Sequence, residues 1–144
     1  MSALRPFHLA MPVNDLAQAR SFYGKLLGCS EGRSASHWVD FDFFGHQFVC
    51  HLDESGEDAE ALRNAVDGDS VPVPHFGLIL TMDDWKALRD RLQAAAVNFV
   101  IEPRIRFAGK PGEQATMFFD DPSGNVLEMK AFRDETQIFA RAPG

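Results

Sequence analysis

Apolar and polar positions alternate along this chain with two periods, and the same succession of periods occurs twice. From Phe7 the sequence reads FHLAMPVNDLAQARSFYGKLLGC: a short apolar run, an Asn-Asp pair, then Leu16, Ala19, Phe22, Tyr23, Leu26 and Leu27 at spacings of three and four. That order predicts a strand followed by an amphipathic helix. Asp15 with Gln18 three residues on reads as a variant capping box, and Gly28 stands where a glycine ends a helix. From His75 the order returns as HFGLIL, then Met82, Asp83 and Asp84, then Trp85, Leu88, Leu92 and Ala95 at helical spacing. Strand-like stretches follow each helix: HWVDFDF and HQFVCHL in the first half, NFVIEP, ATMFF and NVLEMKAF in the second. Each half closes on a hairpin, turning at FFGH and at DDPSGN, where Asp-Pro-Ser-Gly chemistry favours a tight turn.

The chain therefore reads as two βαβββ modules of an α+β fold within one domain, residues 1–144. The first module spans about 5–52 and the second about 74–133, joined by an acidic linker, 53–73, with a short helix expected around Asp58 to Val66; a weakly patterned tail occupies 134–144. His8 and His75 are 67 positions apart, whereas Gly45 and Gly124 are 79 apart, so the second module is the longer. The surplus falls in EPRIRFAGKPGE, Glu102 to Glu113, which predicts a long Gly/Pro-rich loop of the kind that often carries function.

Charge changes the picture in one place. The formal net charge is −7, and the segment from Asp53 to Val73 carries −6 of it, leaving the rest of the chain near neutral. No basic surface of the kind nucleic acid or anionic lipid requires is present. Cys29 and Cys50 have no metal-finger spacing, and no apolar run is long enough to span a membrane, so free buried thiols and a cytoplasmic setting are expected. Thirteen phenylalanines against one tyrosine predict a phenylalanine-rich interior.

Candidate chemistry comes from strand parity. In the first strand His8 and Ala10 share one face, with Leu9 and Met11 on the other; in its repeat, His75, Gly77 and Ile79 share a face opposite Phe76, Leu78 and Leu80. A very small residue follows each histidine by two positions, which reads as room kept beside the imidazole. In NVLEMKAF, Leu127 and Met129 face the helices, so Glu128 shares the other face with Val126 and Lys130. A carboxylate in so apolar a strand needs a cation or a strong set of hydrogen bonds. Two imidazoles and one carboxylate make a facial triad with open positions, which suits Fe(II) and also Mn, Ni, Co or Zn. Periodicity alone leaves open a plainer arrangement, with Glu128 paired to Lys130 or Arg133 and both histidines structural. His51 shares parity with Val49 and is a candidate general acid or base. Gln47 on the same face is a candidate for orienting a substrate oxygen, and Arg104, Arg106 and Lys110 for meeting an anionic group; His37 reads as a surface residue.

FHLAMPVNDLAQARSFYGKLLG, PHFGLIL and MFFDDPSGNVLEMKAF, in this order and spacing, resemble the vicinal oxygen chelate superfamily over roughly Pro6 to Arg133. That superfamily includes glyoxalase I, extradiol dioxygenases, fosfomycin-resistance thiol transferases, methylmalonyl-CoA epimerase and bleomycin-resistance proteins. The resemblance implies a cupped mixed sheet with helices on its convex face, a homodimer, a small-molecule substrate and a divalent metal held by His8, His75 and Glu128. It places Val49, which cannot bind a metal, where glyoxalase I has a fourth ligand, and so favours the three-ligand branches. His46 matches the catalytic histidine that extradiol dioxygenases carry where the first module's hairpin enters its last strand, whereas Phe118 stands where those enzymes carry a tyrosine. Three functions are expected in order: a dioxygenase-like metalloenzyme using Fe(II), a glyoxalase-type isomerase or fosfomycin-resistance-type thiol transferase, and a non-catalytic small-molecule-binding protein.

Overall fold

The computed structural model describes residues 4–55, 62–66 and 69–141. The first four strands are β1 (His8–Val13), β2 (Ser30–Ala35), β3 (Trp38–Phe43) and β4 (His46–Leu52), and they form one mixed sheet in the order β1-β4-β3-β2. A two-stranded hairpin follows, β5 (Leu62–Val66) with β6 (Asp69–Val73). The last four, β7 (Phe76–Leu80), β8 (Phe99–Arg106), β9 (Gln114–Asp120) and β10 (Val126–Phe132), form a second mixed sheet in the order β7-β10-β9-β8. In each sheet the first and last strands run parallel and the other pairings are antiparallel, so the module is βαβββ twice over. Backbone packing divides the chain into two compact units, Met1–Ala59 with Asp121–Asn125, and Glu60–Asp120 with Val126–Gly144. No helix among the described residues is long and apolar enough to cross a membrane.

In the first unit the expected helix starts where its cap predicts: the Asp15 carboxylate accepts the Gln18 backbone N–H at 2.9 Å. Only α1 (Leu16–Ala19) is α-helical, however, and Arg20–Leu26 continues it as a π-helix, with Leu27 N–H donating to Phe22 O five residues back. The spacing of apolar residues gives no sign of this. Its consequence is that the consecutive Phe22 and Tyr23 are both buried; Tyr23 packs against Phe48 with ring centroids 4.7 Å apart, and Phe41 and Phe43 surround it. The β3–β4 turn holds Phe44 and Gly45 at φ 55° and 90°, the two positive values a tight two-residue hairpin demands.

The turn Asp121–Asn125 belongs to this first unit. Buried Asp121 accepts from the Tyr23 hydroxyl at 2.7 Å, from the Asn125 amide at 2.9 Å, and from the backbone N–H groups of Ser123 and Asn125. The Asn125 amide also donates to Pro12 O, and Ser123 Oγ accepts from Asn14 N–H. Burial, reinforced by the Asp121 carboxylate, pushes the Tyr23 phenol well above its usual range. Cys29 and Cys50 are free and buried, and burial lifts the Cys29 thiol to about 11.

In the second unit α2 (Met82–Ala94) is capped by Thr81, whose hydroxyl accepts from Asp84 N–H. Its buried stripe, Trp85, Leu88 and Leu92, covers the face of the sheet that carries Met117, Leu127 and Met129, and Trp85 Nε1 donates to Met129 O at 2.9 Å. The other face carries Glu128, as parity requires. Two expectations change here. The helix expected around Asp58 to Val66 is a strand from Leu62 onward, held by pairing with β6, while residues 58–61 lie outside the described residues. Glu102 to Arg106, expected as loop, extend β8, so only Phe107–Glu113 connect β8 to β9.

Candidate metal and substrate site

The site grows from two neighbouring strands of the second unit. Glu128 lies mid-β10, only 9% exposed, on the face away from α2. His75 immediately precedes β7, the parallel neighbour of β10, and its Nε2 lies 3.3 Å from Glu128 Oε1. The pair is close because β7 and β10 approach closely at Gly77: a Cβ there would overlap the Glu128 carbonyl oxygen. Gly77 therefore serves the backbone approach, which corrects its reading as space kept beside the imidazole.

Hydrogen bonds fix what each group presents. His75 Nδ1 lies 2.7 Å from Pro72 O, and a carbonyl can only accept, so Nδ1 carries a proton and Nε2 is the nitrogen turned toward Glu128. Thr116 on β9 donates its hydroxyl to Glu128 Oε2 at 2.5 Å, the length of a charge-assisted bond, leaving Oε1 toward His75. An imidazole nitrogen and a carboxylate oxygen at this distance are held together by a proton on the nitrogen or by a cation bound to both. The 3.3 Å separation is within the span of two donors each about 2.1 Å from a common ion. Nitrogen and carboxylate donors, each braced from behind, fit a divalent metal.

Around this pair lies a cavity of about 210 Å³. Phe118 forms one wall, its ring 5.0 Å from the His75 ring and nearly perpendicular to it, with Val71 and Ile101 packed beside it. Arg104, Arg106 and Lys130 also line the cavity, and both arginines are engaged by other groups as well. The arginines reach this face through two irregularities in the β8–β9 pairing. Phe99 pairs with Phe119 and Ile101 with Phe118, so one residue is extra; Ile101 then pairs with Phe118 and Arg104 with Thr116, so a second is extra. Pro103, which lacks a backbone donor, falls in the second irregularity, where no ladder bond is lost. Each bulge flips the alternation, and Arg104 and Arg106 end on the same face as Ile101 and Glu128. Lys110 is exposed in the connection between β8 and β9.

The other sequence candidates lie in the first unit. His8, exposed on β1, has Nδ1 2.8 Å from Gln47 Oε1, and Gln47 in turn donates to Asp40 at 3.4 Å. His8 thus repeats one feature of His75, with Nδ1 engaged by an oxygen. His46 Nδ1 instead accepts the Phe7 backbone N–H at 2.9 Å, tying the ring to the entry of β1. His51 is exposed on β4, on the face of Gln47 and Val49. His37 is at the surface, 3.2 Å from Glu54. The structure brings His75, Glu128, Arg104, Arg106 and Phe118 to one cavity; among the described residues no three His, Cys, Asp or Glu side chains gather closely enough to hold an ion. Sequence reasoning missed Thr116 and Pro72. Thr116 shares the parity of Phe118, the one signal the sequence held, but a threonine in ATMFF looks like any β-branched strand residue and its pairing with Lys130 is set by the sheet. Pro72 lay in a segment read as linker.

A search of curated proteins gave no match. Among solved structures the chain is similar to a glyoxalase/bleomycin resistance protein/dioxygenase from Alicyclobacillus acidocaldarius, at 32% identity and a TM-score of 0.74, covering 94% of this chain and 96% of that one. A genomically encoded fosfomycin resistance protein, FosX, from Listeria monocytogenes shares the fold at 20% identity and a TM-score of 0.68, over 96% of this chain and 99% of that one. A virulence protein from Salmonella typhimurium does so at 22% identity and a TM-score of 0.61, over 92% and 98%. The family model described as Glyoxalase/Bleomycin resistance protein/Dioxygenase superfamily matches residues 5–129, and with the paired βαβββ modules in place the chain belongs to that superfamily.

Proposed function

We propose that this chain is a metal-dependent enzyme, dioxygenase-like in its ligand set, that binds a small oxygen-bearing substrate beside His75 and Glu128, with His8 as the third ligand. The observation that carries the reading is the His75–Glu128 pair: an imidazole nitrogen and a carboxylate oxygen 3.3 Å apart, each group oriented by a hydrogen bond from behind. His8 is the third ligand assigned by the family resemblance; Gln47 Oε1 lies 2.8 Å from its Nδ1. Fe(II) is the first choice of ion, with Mn, Ni, Co or Zn as substitutes. Such an ion supplies Lewis acidity toward substrate oxygens and, if iron, a site for dioxygen. The chain's own groups then divide the remaining work: Phe118 walls the cavity, Arg104 and Arg106 meet negative charge on the substrate, and His46, His51 and Gln47 belong to the His8 side as proton-transfer or orienting groups. A homodimer is part of the proposal, since a second copy brings a second His8-bearing face.

The test is anaerobic reconstitution with Fe(II) followed by oxygen uptake against catecholic and other vicinal-oxygen substrates. Uptake that disappears in Glu128→Gln supports the reading; tight metal binding with no uptake on any substrate removes the oxygenase part. A second reading, isomerisation or thiol addition, is favoured by Phe118, which puts no hydroxyl where a ring-cleavage intermediate needs a donor. It predicts turnover with Mn(II), Ni(II) or Zn(II) in the absence of oxygen. Sedimentation of the purified protein checks the dimer, which a monomeric mass at micromolar concentration would remove.

A further inference from the structure

Gln47 N–H donates to Phe7 O at 2.8 Å, which opens the parallel pairing of β1 with β4. In a parallel ladder a residue that accepts in this way gives its own N–H to the carbonyl two positions earlier on the neighbouring strand. That carbonyl belongs to Gly45, and Gly45 is held in the β3–β4 turn at φ 90°, its N–H taken by the Asp42 carboxylate at 2.7 Å. Phe7 N–H turns instead to the His46 ring and donates to Nδ1 at 2.9 Å, across 39 positions of sequence. A half-buried side chain thus supplies the rung that the backbone does not. Apolar packing adds little here, since Leu4 is 91% and Phe7 64% exposed.

The donor fixes the state of the ring. A backbone N–H can only donate, so Nδ1 offers its lone pair and the single proton of the neutral imidazole is on Nε2. In this state both ring nitrogens are committed, and no lone pair is left to take a proton from a substrate. An imidazolium carries N–H groups at both nitrogens, so protonation sets the one at Nδ1 against the Phe7 N–H and breaks the rung. Imidazole is the side chain that changes charge between about pH 5 and 8. The protonated ring has acceptors at hand. His46 lines a cavity of about 490 Å³ together with Asp40 and Asp42 of β3 and Arg33 of β2. Asp42 holds Gly45 N–H and Asp40 accepts from Gln47, one oxygen each. On the β1 side the titratable or charged groups are His8 and, ahead of the strand, Arg5.

We infer that His46 is a pH-dependent latch on the entry to β1: neutral, it holds Phe7 and with it the start of the strand; protonated, it releases Phe7 and turns to Asp40 and Asp42. The latch stands whether or not an ion binds the protein. Where the metal reading holds, it makes His46 a positioning residue for His8, which directly follows Phe7, rather than a base.

NMR of the nitrogen-15-labelled full chain tests it on chelator-treated protein, so that a failure of the metal reading does not alter the outcome. A two-bond nitrogen–nitrogen coupling between the Phe7 amide and His46 Nδ1 is expected at about pH 8 and its loss at about pH 5. The Phe7 amide proton should move upfield with the same midpoint as the His46 ring. His46→Asn puts an amide oxygen near the position of Nδ1 and has nothing to titrate there, so Phe7 should stay bonded and its pH step vanish, although His8 still titrates beside it. His46→Ala should speed exchange of the Phe7 amide at neutral pH by roughly threefold to tenfold, with the Asn variant read alone if the Ala variant fails to fold. A Phe7 amide that ignores protonation of His46, or a step that persists in His46→Asn, overturns the inference.

Discussion

Thr116 holds one oxygen of Glu128 and leaves the other for His75, so it sets how the carboxylate is presented without being among the proposed ligands itself. Removing it with a near-isosteric side chain, Thr116→Val, is expected to weaken divalent-metal affinity on the order of tenfold, while Thr116→Ser, which keeps the hydroxyl, should stay near wild type. Fluorescence titration of both variants with Mn(II) or Zn(II) reads this directly; equal affinities would show that the bond only braces the fold. Parity along three strands was enough to bring Glu128 and His75 to one face from the sequence. It could not supply Thr116 as the brace or Pro72 O as the acceptor, because both contacts depend on which strand pairs with which. A second set of residues carries a pH signature. Cys29 keeps its proton to about pH 11 in the native state against an ordinary 9.0, because it is buried, and Tyr23 is displaced in the same direction. Above pH 9 the unfolded chain releases the thiol proton while the native chain retains it, so the unfolded state binds fewer protons and stability falls as pH rises. Burial raises Cys50 in the same direction, so urea midpoints are expected to hold steady up to pH 9 and decline above it, with Cys29→Ser making the decline shallower.

At the level of elements, the sequence carried the repeat of strand, helix and three strands, together with the caps at Asp15 and Gly28, because these are local periodicities. What it did not carry depends on tertiary demand. The π-helical Arg20–Leu26 satisfies the need to bury Phe22 and Tyr23 side by side. The hairpin of β5 and β6 takes an acidic segment out of the linker role because Val71 joins the core beside Phe118 and Val126. The bulges of β8 change the face of every residue after Ile101, and a Pro in an apparent loop was their only trace. The turn Asp121–Asn125 illustrates the same limit: its composition announced a tight turn, but not that one carboxylate would gather a phenol, an amide and two backbone donors. Asp121→Ala leaves those donors buried without an acceptor, each costing about 1–3 kcal/mol where water cannot reach. A loss of roughly 3 kcal/mol or more is expected by urea denaturation, against a smaller loss for Tyr23→Phe, which removes one donor and leaves the turn intact. Similar losses for the two would mean that the turn is held by its backbone alone.

For the whole molecule, the proposed metal site ties function to stability. His75 and Glu128 converge only because β7 and β10 are paired, and Pro72 O orients the imidazole only when the hairpin is folded. The unfolded chain has no such arrangement, so an ion binding this site binds the native state in preference to the unfolded one. Free metal at about one hundred times its dissociation constant then adds about 2.7 kcal/mol, which for a chain of this size is a rise in melting temperature of roughly 5–10 °C. Chelator-treated protein should melt lower by that amount and recover on adding back the ion, whereas magnesium, which favours oxygen ligands and retains its waters, should restore little. The ligand variants sharpen the expectation. His75→Ala and Glu128→Gln remove the braced pair and should abolish the metal-dependent rise. His8→Ala should reduce it in proportion to lost affinity, since a three-ligand site with one protein donor missing still holds an ion weakly. A rise undiminished in His8→Ala would take His8 out of the ligand set and leave a site made by the second unit alone. A rise that survives in Glu128→Gln would mean that the ion binds elsewhere and that the carboxylate and imidazole share only a proton.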